Sequence, residues 1–201
     1  MKRIIVDVLL LIFMLAEYSR AHLPPEMHEI IGIGLILLVT VHMILNRNYF
    51  KAIPRGKYSA KRMVELLSTI GFFAVFILTC IFGILSSQEI LPFLNIKSLT
   101  AIYLHKILTY ACIILLGIHL GINLKRMFKK LEKRIGKTIY PVYLLIMVLG
   151  IYSAMQVDFL NHITGSYGFS TVTGNILINS LEYLSIILMT TVIVHLIEKY
   201  S

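Results

Sequence analysis

The chain has 201 residues, 58% of them hydrophobic and only 14% charged, with a formal net charge of +9. Several apolar runs approach the roughly 20 residues that cross a bilayer, and a soluble domain could not hide them. Nor does the basicity point to nucleic acid, because no soluble domain remains to carry a basic face.

The first apolar segment runs from Ile4 to Tyr18. Lys2 and Arg3 ahead of it look like the start of a secretory signal. Asp7 interrupts the stretch, however, and no small-x-small cleavage site precedes Ala21, so a retained helix is expected. After an A-H-L-P-P turn, further spans are read at Met27 to Leu45, Val64 to Leu85, Leu99 to Leu124, Ile139 to Met155 and Asn175 to Ile197. The fold expected is all-α, an integral membrane bundle of six transmembrane helices. Residues 1–127 form a four-helix core, and residues 128–201 add two helices and an outer loop.

Basic residues set the orientation, because cytoplasmic segments collect Lys and Arg. With the N-terminus inside, the inner segments hold Lys2, Arg3, six residues between Arg47 and Arg62, seven between Lys125 and Lys137, and Lys199, or 16 of 19. Only Arg20, Lys97 and Lys106 fall outside. Both termini are therefore expected in the cytoplasm.

The first four helices contain a repeat. The segment HEIIGIGLILLVTVHMILNR from His28 aligns without a gap on HKILTYACIILLGIHLGINL from His105, as a duplicated helix hairpin would. Both copies carry H-x(13)-H-x(3)-N: His28, His42 and Asn46 in the first, His105, His119 and Asn123 in the second. Fourteen helical residues fall some 40° short of four turns, so each histidine pair lies on one helix face at heights about 21 Å apart. One full hairpin separates helices two and four, which makes them parallel. Depth then pairs His28 with His105 near the outer surface and His42 with His119 near the inner one.

Two histidines at each of two depths fit the axial ligation of two stacked haems, His28 and His105 on the outer iron and His42 and His119 on the inner one. Gly32 and Thr109, one turn beyond the outer histidines, leave room for a flat macrocycle; close helix packing accounts for such small residues equally well. Asn46 and Asn123 could donate to haem propionates or orient a ligand, beside Arg47 and Lys125; the plainer reading is an interfacial cap with snorkelling cations. Cys80 and Cys112 lie within helices, and no C-x-x-C-H occurs, so any haem is b-type and non-covalent. The alternative is a non-redox transporter or metal permease using the histidines as ligands or a proton relay. A metal cage would need several donors to converge, often with carboxylates, and only Glu29 adjoins a histidine, pointing about 100° away.

Three histidines remain. His195 reads as a packing residue or spare ligand, and His22 and His162 as loop residues within reach of the outer haem. Glu182 is either a proton acceptor for quinol chemistry or a carboxyl bonded to a neighbouring helix. The outer loop from Gln156 to Gly174 either presents a docking surface over the outer haem or simply connects two helices.

The paired H-x(13)-H helices resemble the di-haem four-helix core of respiratory cytochrome b. The H-E-I-I-G and V-H-M-I-L-N-R stretches of helix two resemble the flavinylation-associated cytochrome family of small bacterial membrane proteins. The resemblance covers Ile4 to Met127, is specific at the four histidines and Asn46, and is weak over helices five and six. It implies two b-type haems passing electrons across the bacterial cytoplasmic membrane toward extracytosolic proteins that carry covalent flavin such as FMN. With no G-x-G-x-x-G fingerprint and inner loops of about fifteen residues, no nicotinamide or FAD domain is fused on. The expected electron donor is therefore quinol or a partner protein.

Overall fold

The computed structural model describes residues 2–55, 57–166 and 174–200, and among these the chain is helical with no strand. Nine α-helices follow in order: α1 Lys2–Tyr18, α2 Pro25–Leu45, α3 Arg47–Ala52, α4 Ala60–Ile84, α5 Leu99–Asn123, α6 Lys125–Ile135, α7 Ile139–Gln156, α8 Phe159–Ile163 and α9 Ile176–Tyr200. Among the described residues, five stretches are long and apolar enough to cross a membrane: α2, α4, α5, α9, and Lys125–Gln156, which contains α7. At 17 residues, α1 rises only about 25 Å, which leaves it short of the others.

Local chemistry sets the ends. Proline occupies the first position of α2, where its missing N–H costs nothing, and Glu26 complements the helix dipole there. Ser59 and Ser98 cap α4 and α5, their hydroxyls accepting from the backbone N–H of Arg62 and Ala101, both at 3.3 Å. Gly136, with φ of 69°, stops α6 in a conformation that favours glycine.

Close backbone packing joins α1 to α2, α4 to α5, α5 to α9, and α7 to α9. Helix α9 thus sits between α5 and α7, and glycines make this possible. A Cβ on Gly117 would fall 2.6 Å from Thr190 Cβ, on Gly121 2.7 Å from Val194 Cβ, and on Gly150 2.4 Å from Met189 Cβ. The core follows the same line, with Ile113, Tyr183, Ile186 and Ile187 almost fully buried. Outward, α2, α4 and α7 display isoleucine, leucine and valine, as lipid-facing helices do.

The α1–α2 hairpin packs less closely on the rest. Ser19 and Ser180 hydroxyls meet at 2.8 Å, and the Tyr18 and Tyr183 rings lie 5.6 Å apart. Glu29 completes the attachment. Its carboxylate accepts from the Ser87 hydroxyl at 2.6 Å and from the backbone N–H of Gln88, Glu89 and Ile90 at 2.8, 3.2 and 2.7 Å. Bonds to a charged acceptor contribute about 1.5–3 kcal/mol each when dry and less where water screens them, so this is a firm clip at one end. Below it, α2 makes no comparably close approach to α4 or α5. A slot runs between the hairpins.

Candidate cofactor site

His28 on α2 and His105 on α5 face each other across this slot, ring centres 6.2 Å apart and planes at 73°. Each ring is approached at Nδ1 from behind. His105 Nδ1 donates to the Thr79 carbonyl at 2.8 Å, and His28 Nδ1 lies 2.8 Å from Glu17 Oε2. The His28 contact has ion-pair distance without hydrogen-bond alignment, since Nδ1 counts among the buried atoms lacking a hydrogen-bond partner. Metal-bound histidines are characteristically held in this way, with the far nitrogen on a carboxylate or carbonyl and Nε2 turned to the metal. Two metal–nitrogen bonds of about 2 Å between facing rings put the ring centres roughly 6 Å apart, so the spacing suits one shared iron.

A cavity of about 390 Å3 opens at this pair, within the usual range for small-ligand sites of roughly 300–1,000 Å3. Met14, Leu35, Phe76 and Ile113 give it apolar walls, and Gly32, Thr109, Arg20 and Lys106 also line it. Glu17 Oε1, Tyr18 OH and Ser86 Oγ are buried without a hydrogen-bond partner, and all three residues line the same cavity. Such a group left unpaired costs about 1–3 kcal/mol. Several around one apolar space suit a flat ligand with polar edges. Gly83 on α4 provides further room, because a Cβ there would fall 2.9 Å from His105 Cε1.

The second pair is more open. His42 Nδ1 is hydrogen-bonded to Asp7 Oδ1 at 2.8 Å, with side-chain exposures of 33% and 52%. His119 stands against Phe72, ring centres 5.6 Å apart, and lies within electrostatic range of His42. The Asn46 amide nitrogen donates to the His42 carbonyl at 2.9 Å and comes within 3.4 Å of His42 Nε2. Asn123 likewise donates to the His119 carbonyl at 2.8 Å and lies 3.4 Å from His119 Nδ1. Both asparagines close the end of their own helix while touching the histidine ring. Lys125 pairs with Glu65, and Arg47 begins α3.

Other nominated residues lie elsewhere. His195 is 3% exposed, stacked on Phe128 at 4.3 Å with its Nε2 2.9 Å from Glu132 Oε1, the arrangement of a packing histidine. His162 differs from the loop residue expected: α8 buries it to 3% exposure and stacks it on Tyr110 at 4.7 Å. His22 sits in a short 3-10 turn, and Glu182 accepts from Asn179 Nδ2 at 3.2 Å. Of the Gln156–Gly174 loop, Val157 and Phe159 pack into the protein, whereas residues 167–173 lie outside the described residues.

Sequence reasoning missed Glu17, Thr79 and Gly83, and used Asp7 only as an interruption of an apolar run. Two acids within one short apolar helix were the available signal, because an intramembrane carboxylate needs a partner. Thr79 acts through its backbone carbonyl, which no side-chain pattern reveals.

Among the described residues, no three of His, Cys, Asp or Glu converge as a metal cage requires. By length and composition the apolar helices are compatible with a multi-pass membrane protein. No protein-family model, curated protein or solved structure matches it.

Proposed function

We propose that the chain is a six-helix membrane cytochrome b, with one b-type haem between His28 and His105 and a second between His42 and His119, carrying electrons across the bacterial cytoplasmic membrane. The observation that carries this reading is the facing of His28 and His105 at 6.2 Å with Nδ1 approached from behind in both rings. Haem bound at each pair supplies a one-electron iron couple. The protein's part is to fix the imidazoles, exclude water with Leu35, Phe76 and Ile113, and place one histidine pair toward each membrane face.

The 16-to-3 split of basic residues puts both termini in the cytoplasm and His28 and His105 toward the outside. In this topology α1 is the sixth span, and its fit to the antiparallel α2 supports it. Quinol or a partner protein is the donor, and the resemblance of helix two points to an extracytosolic flavin-bearing acceptor. A metal permease is less well supported, since the donors come in pairs rather than in cages.

An absorption spectrum of the purified protein tests the reading. Sharp α and β bands on reduction and two haems per chain are expected. A protein that purifies folded and colourless from haem-replete cells would overturn it.

A further inference from the structure

The two helices that carry the histidines are held by different chemistry. Both α2 histidines meet a carboxylate from α1: Glu17 Oε2 is 2.8 Å from His28 Nδ1, and Asp7 Oδ1 is 2.8 Å from His42 Nδ1. The α5 histidines meet neutral groups, the Thr79 carbonyl at His105 and the Asn123 amide at His119. Because α1 and α2 form an antiparallel hairpin, one helix reaches both histidines of the other, acid to histidine at each end.

We infer that Glu17 and Asp7 are positioning residues that lower the reduction potentials of the two haems through His28 and His42, Glu17 more strongly than Asp7. The inference rests on the haem reading above. A carboxylate hydrogen-bonded behind an imidazole, as Asp7 is at His42, draws on its N–H and makes Nε2 the stronger electron donor, which favours oxidised iron. Its negative charge acts in the same direction, because oxidation leaves the centre one unit more positive. A backbone carbonyl supplies only the weaker, neutral form of the first effect.

At Glu17, which is not aligned for a hydrogen bond, charge alone acts, and burial sets the order. Glu17 and His28 side chains are 14% and 21% exposed, against 52% and 33% for Asp7 and His42, so the Glu17 charge is screened less. The haem at His28 and His105 is thereby kept the more strongly reducing relative to what its ligands alone would give. That suits an electron exit toward an acceptor of low potential.

The test is a redox titration of the full-length, haem-loaded protein, followed in the α band, with haem content measured alongside. Glu17→Gln should keep two haems and raise the midpoint potential of the haem that His105→Ala removes. Asp7→Asn should raise the other by a smaller amount. Glu26→Gln, which removes an exposed acid near the same end, should shift neither. Unchanged potentials in haem-replete Glu17→Gln and Asp7→Asn would overturn the inference. So would loss of the first haem in Glu17→Gln together with an unmoved potential in Asp7→Asn, since the carboxylates would then only hold the sites together. A wild-type protein without haem would instead refute the cytochrome reading itself.

Discussion

At the scale of single residues, position along a helix separates histidines of the same chemistry. His28 and His105 face one another with no hydrogen bond to Nε2 among the described residues, whereas His195 spends Nε2 on Glu132 and its ring face on Phe128. An unengaged ring nitrogen in an apolar slot is poorly stabilised unless something binds it, which is the physical case for a ligand. His105→Ala should therefore leave about half the haem, losing the site shared with His28, and His119→Ala should lose the other half. Haem content and the two redox waves of each purified variant check this. If His28→Ala emptied the site that depends on His119, the depth pairing would be wrong.

At the scale of helices, α5 carries two kinds of contact on different faces. One face offers His105 and His119 to the slot; another brings Gly117 and Gly121 against α9, where a Cβ would also meet the Ile187 and Thr191 carbonyl oxygens at 2.9 Å. Backbone cannot yield as a side-chain tip can. Gly121→Leu should thus force α5 and α9 apart and cost about 1–3 kcal/mol or more by overpacking, read as a lowered Tm in detergent. The same change at Gly71 on α4, where nothing lies within 4 Å of an added Cβ, should leave Tm nearly unaltered. Helix α6 shows a further element-level effect: within the basic stretch Lys125 to Lys137, an inner loop on the sequence reading, Lys125–Ile135 folds as a helix whose Phe128 is buried and whose Glu132 bonds His195 and Lys199. Its apolar residues Met127, Phe128, Leu131 and Ile135 recur at helical spacing, so this period was legible in the sequence beneath the charge.

At the scale of the whole molecule, charge asymmetry gives the proposal its direction. Transferring the many Lys and Arg residues of the α2–α4 and α5–α7 connections across a bilayer is costly, so the proposal sets them on the cytoplasmic side. Lys57→Cys and Ser166→Cys, each in a background lacking Cys80 and Cys112, should react differently with an impermeant maleimide in whole cells. Only position 166 should be labelled. Labelling at 57 alone would invert the molecule and exchange the roles of the two haem sites.

The sequence determined the helical class, the place of the long apolar helices and the pairing of His28 with His105. Each depends on periodicity or depth along a single helix, and these are properties of local chain geometry. Helix ends were legible to within a few residues, for example Met27 to Leu45 against Pro25–Leu45, because proline and serine mark them. What stands behind the histidines was decided only by tertiary structure. Glu17 reaches His28 and Asp7 reaches His42 because the α1–α2 turn sets the rotation of one helix against the other, and Thr79 reaches His105 because α4 packs on α5. Gly83 has its role for the same reason, since its missing Cβ matters only once the His105 ring lies over it. Contacts of this kind depend on interhelical rotation and separation, which no periodicity within one helix encodes.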